Sequence, residues 1–520
     1  MSNPSTHAAR HPDKPAVILA ETGATLTYGE LDRESMQLAQ AFRAAGLRPG
    51  DHVASAVANH LRNPVVYWAA MRAGLYYTPI NTYLTDAEAR FIVENCGAGA
   101  VVVDGRLDAL AAGLADLDLP LRISLDVALP GFDELATVLA RHPAEPVDED
   151  VLGASMVYSS GSTGRPKGIK RPLAPRTYAE GNVPLLEFAR TAYDVGTDTI
   201  NLSPAPLYHA APNSFASAVL GLGGTLVLME RFDASAFLAA IERYAATHAL
   251  VVPTMFVRLL RLPEAERAAA DLSSLRFAMH GASPCPVPVK RSMIDWWGPV
   301  IMEYYAGSED NGSTVITSQE WLAHPGSVGR AFGNAVIHIC GPDGAELPTG
   351  QDGVVYFETP GGLPAFEYHG EPDKTDSTRH PVHRDWSTLG DVGHLDADGY
   401  LYLTDRTDYM IISGGVNISP QEIEDVISAH PAVLDVAVFG VPNEEFGEEV
   451  KAVVELDPAA AGPDEASVAE EIRTFVRDRL ARHKVPRTVD VIDVMPRSPA
   501  GKLYKRQLRD RYLKETATHG

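Results

Sequence analysis

Apolar runs with the length of buried strands alternate with amphipathic helical stretches along most of the chain. The strand-like runs include residues 16–20, 101–104, 224–229 and 249–253, and the helical stretches include residues 28–45 and 234–248. Alternation of this kind is typical of layered α/β proteins with largely parallel sheets. Because 520 residues are too many for one simple core, we expect at least two domains.

The pattern restarts after about residue 405. Short strand-like runs and two helical stretches then fill about 110 residues, which is a usual domain size. A segment rich in Pro, Gly and charge, residues 361–385, comes shortly before this point. We therefore predict a large N-terminal domain, residues 1–405, of layered mixed sheets with helices, and a small α+β C-terminal domain, residues 411–520.

The charge of the chain excludes some classes of partner. It has 44 Lys and Arg against 68 Asp and Glu, a formal net charge of −24. Such a surface repels nucleic acid and anionic lipid, so we expect neither as a general partner. Residues 482–514 are a local basic exception, which is either a solvated helix face or a mobile lobe that faces phosphates.

Cysteine usage and hydropathy indicate the compartment. The three cysteines form no CxxC pair, which disfavours a disulfide framework or a metal cluster. The chain opens without an apolar signal core, and the run at 214–229 is too short and glycine-rich to span a membrane. We expect a cytoplasmic protein without an integral membrane segment.

A dense Ser, Thr and Gly segment with a terminal lysine, residues 159–168, follows a strand-like run. Glycines let backbone N–H groups approach an anion, hydroxyls add donors, and Lys167 adds a positive charge suited to phosphate. The segment is not the P-loop of NTPases, because Pro166 occupies the glycine position of that motif. We predict a phosphate-binding loop rather than a polar surface turn. Its candidate nucleotide-binding residues are Ser159, Ser160, Gly161, Ser162, Thr163 and Gly164.

Several motifs in a fixed order carry a resemblance to a known family. The phosphate loop is followed by HGAS at 280–283, YYAGSE at 304–309, LGD at 389–391 and DR at 405–406, and the series ends with PRSPAGK at 496–502. In these segments the chain resembles the adenylate-forming superfamily of acyl-CoA synthetases, luciferases and adenylation domains. The resemblance spans nearly the whole sequence. Within the superfamily, the chain resembles the acyl-CoA synthetase branch that contains bacterial fatty-acid, bile-acid and steroid side-chain CoA ligases.

The resemblance implies roles for the nucleotide-binding residues. Tyr305 would stack on adenine, Ser308 would touch the α-phosphate, and Glu309 would hold Mg²⁺, which prefers carboxylates together with phosphate oxygens. Asp391 and Arg406 would bind the ribose hydroxyls. The implied adenine pocket also includes Gly281, Ala282, Ser283, Tyr304 and Ala306. Two positions of the YYAGSE segment depart from the family pattern, namely Ala306 for a glycine and Ser308 for a threonine, and Leu389 replaces a threonine in the LGD motif.

The remaining implied residues belong to the acid, the hinge and the thiol. Asp408 would be the hinge within residues 406–410, so that the C-terminal domain is mobile. Lys502 would contact the carboxylate and the α-phosphate as a catalytic residue beside Lys167 and Glu309. Gly414 and Gly415 would line the thiol tunnel, although a structural turn is the competing interpretation. His209, Gly307 and Val328 would line the acyl pocket, and for His209 an ordinary core or loop histidine stays an alternative.

These roles imply an ATP-dependent ligase that converts a carboxylic acid to an acyl-adenylate and passes the acyl group to coenzyme A. The implied cofactors are ATP, Mg²⁺ and coenzyme A as co-substrate. Small side chains and the absence of Lys or Arg in the pocket-lining segments favour a bulky or extended hydrophobic acid. The alternatives are an adenylating enzyme that loads a carrier-protein thiol and a non-catalytic binding relative. The oligomeric state is left open, with a homodimer allowed.

Overall fold

A computed structural model describes residues 3–160, 166–359, 366–406, 409–413, 416–443, 446–458, 465–497 and 503–518. Within these ranges it also leaves some side chains undescribed, namely those of residues 160, 405, 406, 416, 417 and 514–518. No helix in the described ranges is both long and apolar enough to cross a membrane.

The elements up to residue 160 form the first part of the N-terminal region. They are α1 (Pro4–Ala8), β1 (Pro15–Leu19), β2 (Thr25–Thr27), α2 (Tyr28–Ala44), β3 (His52–Ala56), α3 (Asn63–Arg72), β4 (Tyr76–Pro79), α4 (Asp86–Asn95), β5 (Ala98–Asp104), α5 (Asp108–Leu114), β6 (Leu121–Leu125), β7 (Asp133–Glu134), α6 (Leu135–Ala140), β8 (Ala154–Ser155) and β9 (Val157–Ser160).

The elements from residue 166 to residue 340 continue the alternation. They are β10 (Pro166–Lys170), α7 (Val183–Tyr193), β11 (Ile200–Ser203), α8 (Ala210–Gly221), β12 (Thr225–Leu228), α9 (Ala234–Tyr244), β13 (His248–Val251), α10 (Pro253–Leu260), α11 (Glu264–Ala269), β14 (Phe277–His280), α12 (Val287–Trp297), β15 (Ile301–Ala306), β16 (Ser313–Thr317), α13 (Ser318–Ala323), β17 (Arg330–Ala331) and β18 (Val336–Cys340).

The remaining elements end the N-terminal region and build the C-terminal one. They are β19 (Gly353–Glu358), β20 (Glu367–Tyr368), α14 (Pro372–Ser377), β21 (Trp386–Leu395), β22 (Leu401–Arg406), β23 (Ile411–Ser413), β24 (Val416–Ile418), α15 (Pro420–Ser428), β25 (Val433–Asn443), β26 (Gly447–Leu456), α16 (Glu465–Arg477), a 3₁₀ turn at Arg482–Lys484, β27 (Thr488–Val491) and α17 (Lys505–Thr518).

The strands assemble into five sheets. A nine-stranded sheet has the order β17-β16-β15-β14-β13-β11-β12-β1-β2, and a six-stranded sheet has the order β7-β6-β5-β3-β4-β8. Pairing is parallel throughout the six-stranded sheet and in the centre of the nine-stranded one. Strands β18, β19, β21 and β22 form an antiparallel sheet, and β20, β10 and β9 form a small one. The fifth sheet lies in the C-terminal region and has the order β24-β23-β26-β25, with β27 paired to β26. The predicted fold class is confirmed, namely a large region of layered mixed sheets followed by a small α+β region.

Helix starts follow local sequence signals. Helix α2 begins with a capping box in which Thr27 and Glu30 satisfy each other's backbone N–H groups. Helix α15 begins with Ser419 at the N-cap and Pro420 at the first helical position. The Ser419 hydroxyl accepts a 3.5 Å hydrogen bond from the backbone N–H of Glu422, and the Glu422 carboxylate accepts a hydrogen bond from the ammonium of Lys484.

Candidate active site

The predicted phosphate loop connects two strands of a hairpin. Strands β9 and β10 pair antiparallel, which sets Ser159 opposite Lys167. The Ser159 hydroxyl is buried and has no hydrogen-bond partner among the described residues. A buried hydroxyl of this kind is a donor available to an anion, and it fits a phosphate group. Of the other predicted loop residues, Gly161, Ser162, Thr163 and Gly164 lie outside the described ranges, as does the side chain of Ser160.

Lys167 and Glu309 meet at the end of this hairpin. The Lys167 ammonium lies 3.5 Å from the Glu309 carboxylate and 3.9 Å from the centre of the Tyr368 ring. The Tyr368 hydroxyl donates a 2.8 Å hydrogen bond to the same carboxylate. Glu309 is 8% exposed, so its charge is largely withdrawn from water. A carboxylate beside a hairpin with phosphate-binding chemistry is suited to Mg²⁺, which takes few protein ligands and completes its shell with phosphate oxygens.

Tyr305 and Asp391 lie together across two sheets. The phenol of Tyr305, on β15, donates a 2.5 Å hydrogen bond to the carboxylate of Asp391, on β21. In the backbone, Asp391 is paired with Arg406 of β22. The predicted adenine-stacking and ribose-binding residues are therefore neighbours, although the side chain of Arg406 lies outside the described set.

The strip expected beside adenine follows β14 and faces β15. A Cβ atom on Gly281 would lie 2.7 Å from the carbonyl oxygen of Tyr304 and 2.8 Å from its ring, so only glycine fits there. Ala282 has φ +69°, a left-handed conformation that costs a non-glycine residue about 1–2 kcal/mol. Burial raises the pKa of Tyr304 to about 12. Ala282 and Ala306 are exposed and Ser283 is half-buried, so small accessible side chains border this strip.

The predicted acid-binding segment is divided between surface and core. His209 precedes α8, and its ring lies 4.7 Å from that of Tyr208. The half-buried residues Ala210, Ala211 and Ser214 share one face of α8 and are all small. Phe215, by contrast, packs in the core against Tyr193, with ring centres 5.9 Å apart.

The other two predicted acid-pocket residues have little spare volume around their backbone. Gly307 approaches Leu389 and Glu309 so closely that a Cβ atom would lie 2.4 Å from a Leu389 methyl carbon. Val328 is half-buried, and its carbonyl accepts a 2.5 Å hydrogen bond from Thr314. The described backbone is therefore tightly packed at the base of this region.

The predicted residues of the hinge and the C-terminal domain lie outside the described ranges. These are Asp408, Gly414, Gly415 and Lys502. Ser419 follows the Gly414–Gly415 segment in the sequence, and its hydroxyl donates a 2.6 Å hydrogen bond to the Thr404 carbonyl. Burial raises the pKa of the Tyr504 phenol, and the carboxylate of Glu88 adds to the effect. Glu88 lies on α4 of the N-terminal region, so its charge acts on Tyr504 of the C-terminal region.

Sequence reasoning missed Tyr368 and a buried charged cluster. Tyr368 lies on β20 and reaches Glu309 only because β20 pairs with β10. Lys290, on α12, is fully buried and donates a 2.5 Å hydrogen bond to Glu303 on β15. Buried His280 lies 3.7 Å from the same carboxylate. Lysine is rarely fully buried, so a lysine among the apolar residues of α12 does not indicate a buried ion pair in the sequence.

Comparisons with known proteins agree with this geometry. The sequence profile of the AMP-binding enzyme family matches residues 5–365, and that of the AMP-binding enzyme C-terminal domain matches residues 422–502. Feruloyl-CoA synthase of Amycolatopsis sp is 34% identical over 500 residues, which are 96% of each chain. The fatty acid–[acyl-carrier-protein] ligase ScoC of Streptomyces coeruleorubidus is 30% identical over 521 residues, 99% of this chain and 96% of ScoC.

A solved structure is similar over the same span. ATP-bound MatB from Rhodopseudomonas palustris has a TM-score of 0.83 and 27% identity, with 99% of each chain covered. The first profile match covers more than half of the chain, and Ser159, Lys167, Tyr305 and Glu309 lie within it. The chain therefore belongs to the AMP-binding, adenylate-forming enzymes and is an AMP-forming acid–thiol ligase.

Proposed function

We propose that this enzyme is an acyl-CoA synthetase that activates a bulky or extended hydrophobic carboxylic acid through an acyl-AMP intermediate. The observation that carries the proposal is the approach of Lys167 and Glu309 to 3.5 Å beside the buried hydroxyl of Ser159. Ser159 and Lys167 lie on the two strands of the hairpin, and Glu309 lies in the turn after β15. Together they bring a cation, a carboxylate and a hydroxyl donor to one place. A nucleotide triphosphate with its metal ion requires this combination.

In the first half-reaction a carboxylate oxygen of the acid attacks the α-phosphorus of ATP. The bond from that phosphorus to the bridging oxygen breaks, and pyrophosphate leaves with the electron pair. Lys167 and the hairpin donors stabilise the negative charge that spreads over the phosphoryl oxygens, and Lys502 adds a second cation. Mg²⁺ on Glu309 would neutralise phosphate charge when bound. Catalysis here is positioning and electrostatics, and no side chain becomes covalently modified.

In the second half-reaction the thiol sulfur attacks the acyl carbonyl carbon, the thiol loses its proton, and AMP leaves. In the proposed mechanism the C-terminal domain rotates at Asp408. The rotation moves Lys502 away from the site and brings the segment of Gly414 and Gly415 to it. The division of labour predicts that Lys502→Ala abolishes adenylate formation and spares thioester formation from synthetic acyl-adenylate. Equal loss of both half-reactions would contradict it.

The choice of a hydrophobic acid rests on the walls of the pocket. The half-buried face of α8 includes Ala210, Ala211 and Ser214. Ala282 lies in the segment after β14, and Ala306 lies at the end of β15. None of these residues carries a charge that could form an ion pair with a second carboxylate or with an ammonium group. Apolar contact of this kind stabilises a bound ligand by about 25 cal/mol per Å² of surface removed from water. The similarity to feruloyl-CoA synthase and to a fatty-acid ligase supports an aromatic or aliphatic acid.

A second candidate function is the loading of a carrier-protein thiol. It is favoured by the similarity to ScoC, whose name specifies an acyl-carrier-protein acceptor, over 99% of this chain. The two candidates share the first half-reaction and differ only in the thiol. A third alternative, a non-catalytic binding relative, is disfavoured because Lys167, Glu309 and Asp391 are all present at the site.

One assay separates these alternatives. Pyrophosphate release is measured with acetate, benzoate, ferulate, octanoate, palmitate, a diterpenoid acid and a bile acid, with coenzyme A or with a phosphopantetheinylated carrier protein. We expect release with hydrophobic acids and thioester only with coenzyme A. Thioester on the carrier protein alone would favour the second function, and no release with any acid would favour a binding relative. Acetate or an amino acid as the best substrate would contradict the hydrophobic pocket.

A variant of the pocket wall tests where the acid lies. Ala306→Trp is expected to remove activity with the largest acids and to spare octanoate, because the residue is exposed at the end of β15. Val127→Trp is the control, since Val127 is 51% exposed in the loop after β6. The same loss for every acid with Ala306→Trp would place the residue outside the acid pocket.

A further inference from the structure

The turn that carries Ser308 and Glu309 connects β15 to β16. The backbone N–H of Asp310 donates a 3.1 Å hydrogen bond to the Gly307 carbonyl, and Asp310 has φ +56°. Left-handed backbone is tolerated by Asp better than by most residues, but it still disfavours the turn. Something outside the turn must therefore hold it in this shape.

One side of the turn is held by a buried amide. The side chain of Asn311 donates a 3.2 Å hydrogen bond to the Ser387 carbonyl on β21. This contact fixes the end of the turn that leads into β16. It leaves the Ser308–Glu309 end, which faces the phosphate hairpin, to be fixed by another group.

Arg171 provides that contact. It follows β10 directly, and its backbone carbonyl accepts a 2.7 Å hydrogen bond from the Tyr76 phenol on β4. Its guanidinium donates one hydrogen bond of 3.1 Å to the Ser308 carbonyl and another of 2.6 Å to the Asp310 carboxylate. The planar fork of arginine suits two acceptors at once. Arg171 thus links the strand that bears Lys167 to the turn that bears Glu309.

We propose that Arg171 is a positioning residue that orients the Ser308–Glu309 turn for the metal-bound nucleotide. The inference rests on the proposed role of Glu309 in holding Mg²⁺. Arg171 does not touch the Glu309 carboxylate in the described contacts. It acts through the carbonyl of Ser308, which belongs to the peptide bond that precedes Glu309, and so it fixes the direction in which that residue leaves the backbone.

The bond to Ser308 carries the effect, and the ion pair with Asp310 contributes little. The Asp310 side chain is 70% exposed and that of Arg171 is 38% exposed. Exposed ion pairs of this kind are worth little because water and salt screen them. The carbonyl of Ser308 is less accessible, and its bond constrains the backbone itself. Asp310→Asn keeps a residue that tolerates the left-handed conformation, so it removes the charge alone.

The test measures nucleotide binding rather than turnover. Calorimetric titration of a non-hydrolysable ATP analogue is carried out with Mg²⁺ and again with EDTA, and the ratio of the two Kd values is the Mg²⁺-dependent gain. We expect Arg171→Ala to reduce this gain about tenfold, which is about 1.4 kcal/mol. Arg171→Lys should retain part of the gain, since lysine supplies one donor, and Asp310→Asn should retain nearly all of it.

Arg276→Ala is the matched control. Arg276 is 37% exposed and pairs with two acids, Asp194 and Asp198, away from the turn. An equal fall of binding with Mg²⁺ and with EDTA in Arg171→Ala would overturn the proposal, as would a loss of gain no larger than in Arg276→Ala. An Asp310→Asn effect as large as that of Arg171→Ala would also overturn it, because the ion pair would then carry the effect.

A further variant separates this inference from the proposed role of Glu309. Glu309→Gln should lose the Mg²⁺-dependent gain almost completely. If Glu309→Gln keeps the gain, the metal assignment is wrong whatever Arg171 does. If Glu309→Gln loses the gain and Arg171→Ala keeps it, only the positioning role is wrong. In the double variant Glu309→Gln with Arg171→Ala, the second change should not lower the Mg²⁺-dependent gain further, because the carboxylate through which Arg171 acts is already gone.

Discussion

The buried ion pair between Lys290 and Glu303 predicts a large and specific stability effect. Lys290 is 0% exposed, and its ammonium also lies 4.9 Å from the centre of the Trp321 ring. Burial lowers the pKa of Lys290 and raises that of Glu303, and in each case the partner only partly opposes burial. The pair therefore stabilises the fold less than its 2.5 Å distance suggests, but each charge depends on the other.

Lys290→Met is expected to lower the free energy of unfolding by about 3–5 kcal/mol, because Glu303 is left buried without its partner. An N-terminal domain of about 400 residues gains about 0.8 kcal/mol/K of entropy on unfolding, so about 4 kcal/mol lowers its Tm by about 5 °C. The double variant Lys290→Met with Glu303→Gln should recover most of this loss, since replacing both partners of a buried pair is often neutral.

Differential scanning calorimetry at fixed scan rate measures these Tm values. Arg190→Met is the control, because it breaks an exposed ion pair with Glu187 on α7 and should change Tm little. In Lys290→Met the pKa of Glu303 stays above its unfolded value. The folded state then favours the protonated form of Glu303. The loss of unfolding free energy in Lys290→Met should therefore be small near pH 5 and grow as pH rises through the folded pKa of Glu303. A double variant as unstable as Lys290→Met would refute the reasoning.

Three further predictions test other parts of the fold. Gly281→Ala should raise the KM for ATP, because a Cβ atom there would lie 2.7 Å from the Tyr304 carbonyl oxygen, and an unchanged KM would contradict this packing. Burial raises the pKa of Asp425 from 3.8 to about 6, so calorimetry should show wild-type stability falling through this group as pH rises from about 4 to about 7, and Asp425→Asn should lose that part of the dependence. Asp408→Pro should keep pyrophosphate release and lose thioester formation, because a fixed φ blocks the proposed hinge, and normal turnover would exclude it.

The elements of the fold were predictable where the signal is local. Helix α2 was expected at residues 28–45 and runs from Tyr28 to Ala44, since its capping box and apolar spacing lie within one segment. Helix α9 was expected to residue 248 but ends at Tyr244, because Ala245 adopts the left-handed conformation and His248 begins β13. A turn of this kind without glycine gives no signal in the sequence.

The candidate site was predictable as a set of motifs and not as a set of contacts. Lys167, Glu309 and Asp391 were proposed from segments that each carry their own residue pattern. Tyr368 and Arg171 carry no such pattern, because their contacts depend on how β20, β10 and the turn after β15 are brought together. Without knowledge of the long-range strand pairing, a tyrosine or an arginine outside a motif cannot be distinguished from an ordinary surface residue.

The contact between Lys167 and Glu309 explains how such a site can hold opposite charges before substrate binds. Each side chain is the counter-ion of the other, with 3.5 Å between them, and Tyr368 contacts both. In the proposed mechanism the nucleotide brings phosphate to Lys167 and the metal ion to Glu309, so each charge exchanges one partner for another. Burying an unpaired charge costs several kcal/mol, and in this mechanism both charges keep a partner before and after the nucleotide binds. Because both side chains are already held by the hairpin, the tyrosine and the turn, little rearrangement opposes binding, and the positive and negative groups stand where charge develops in the reaction.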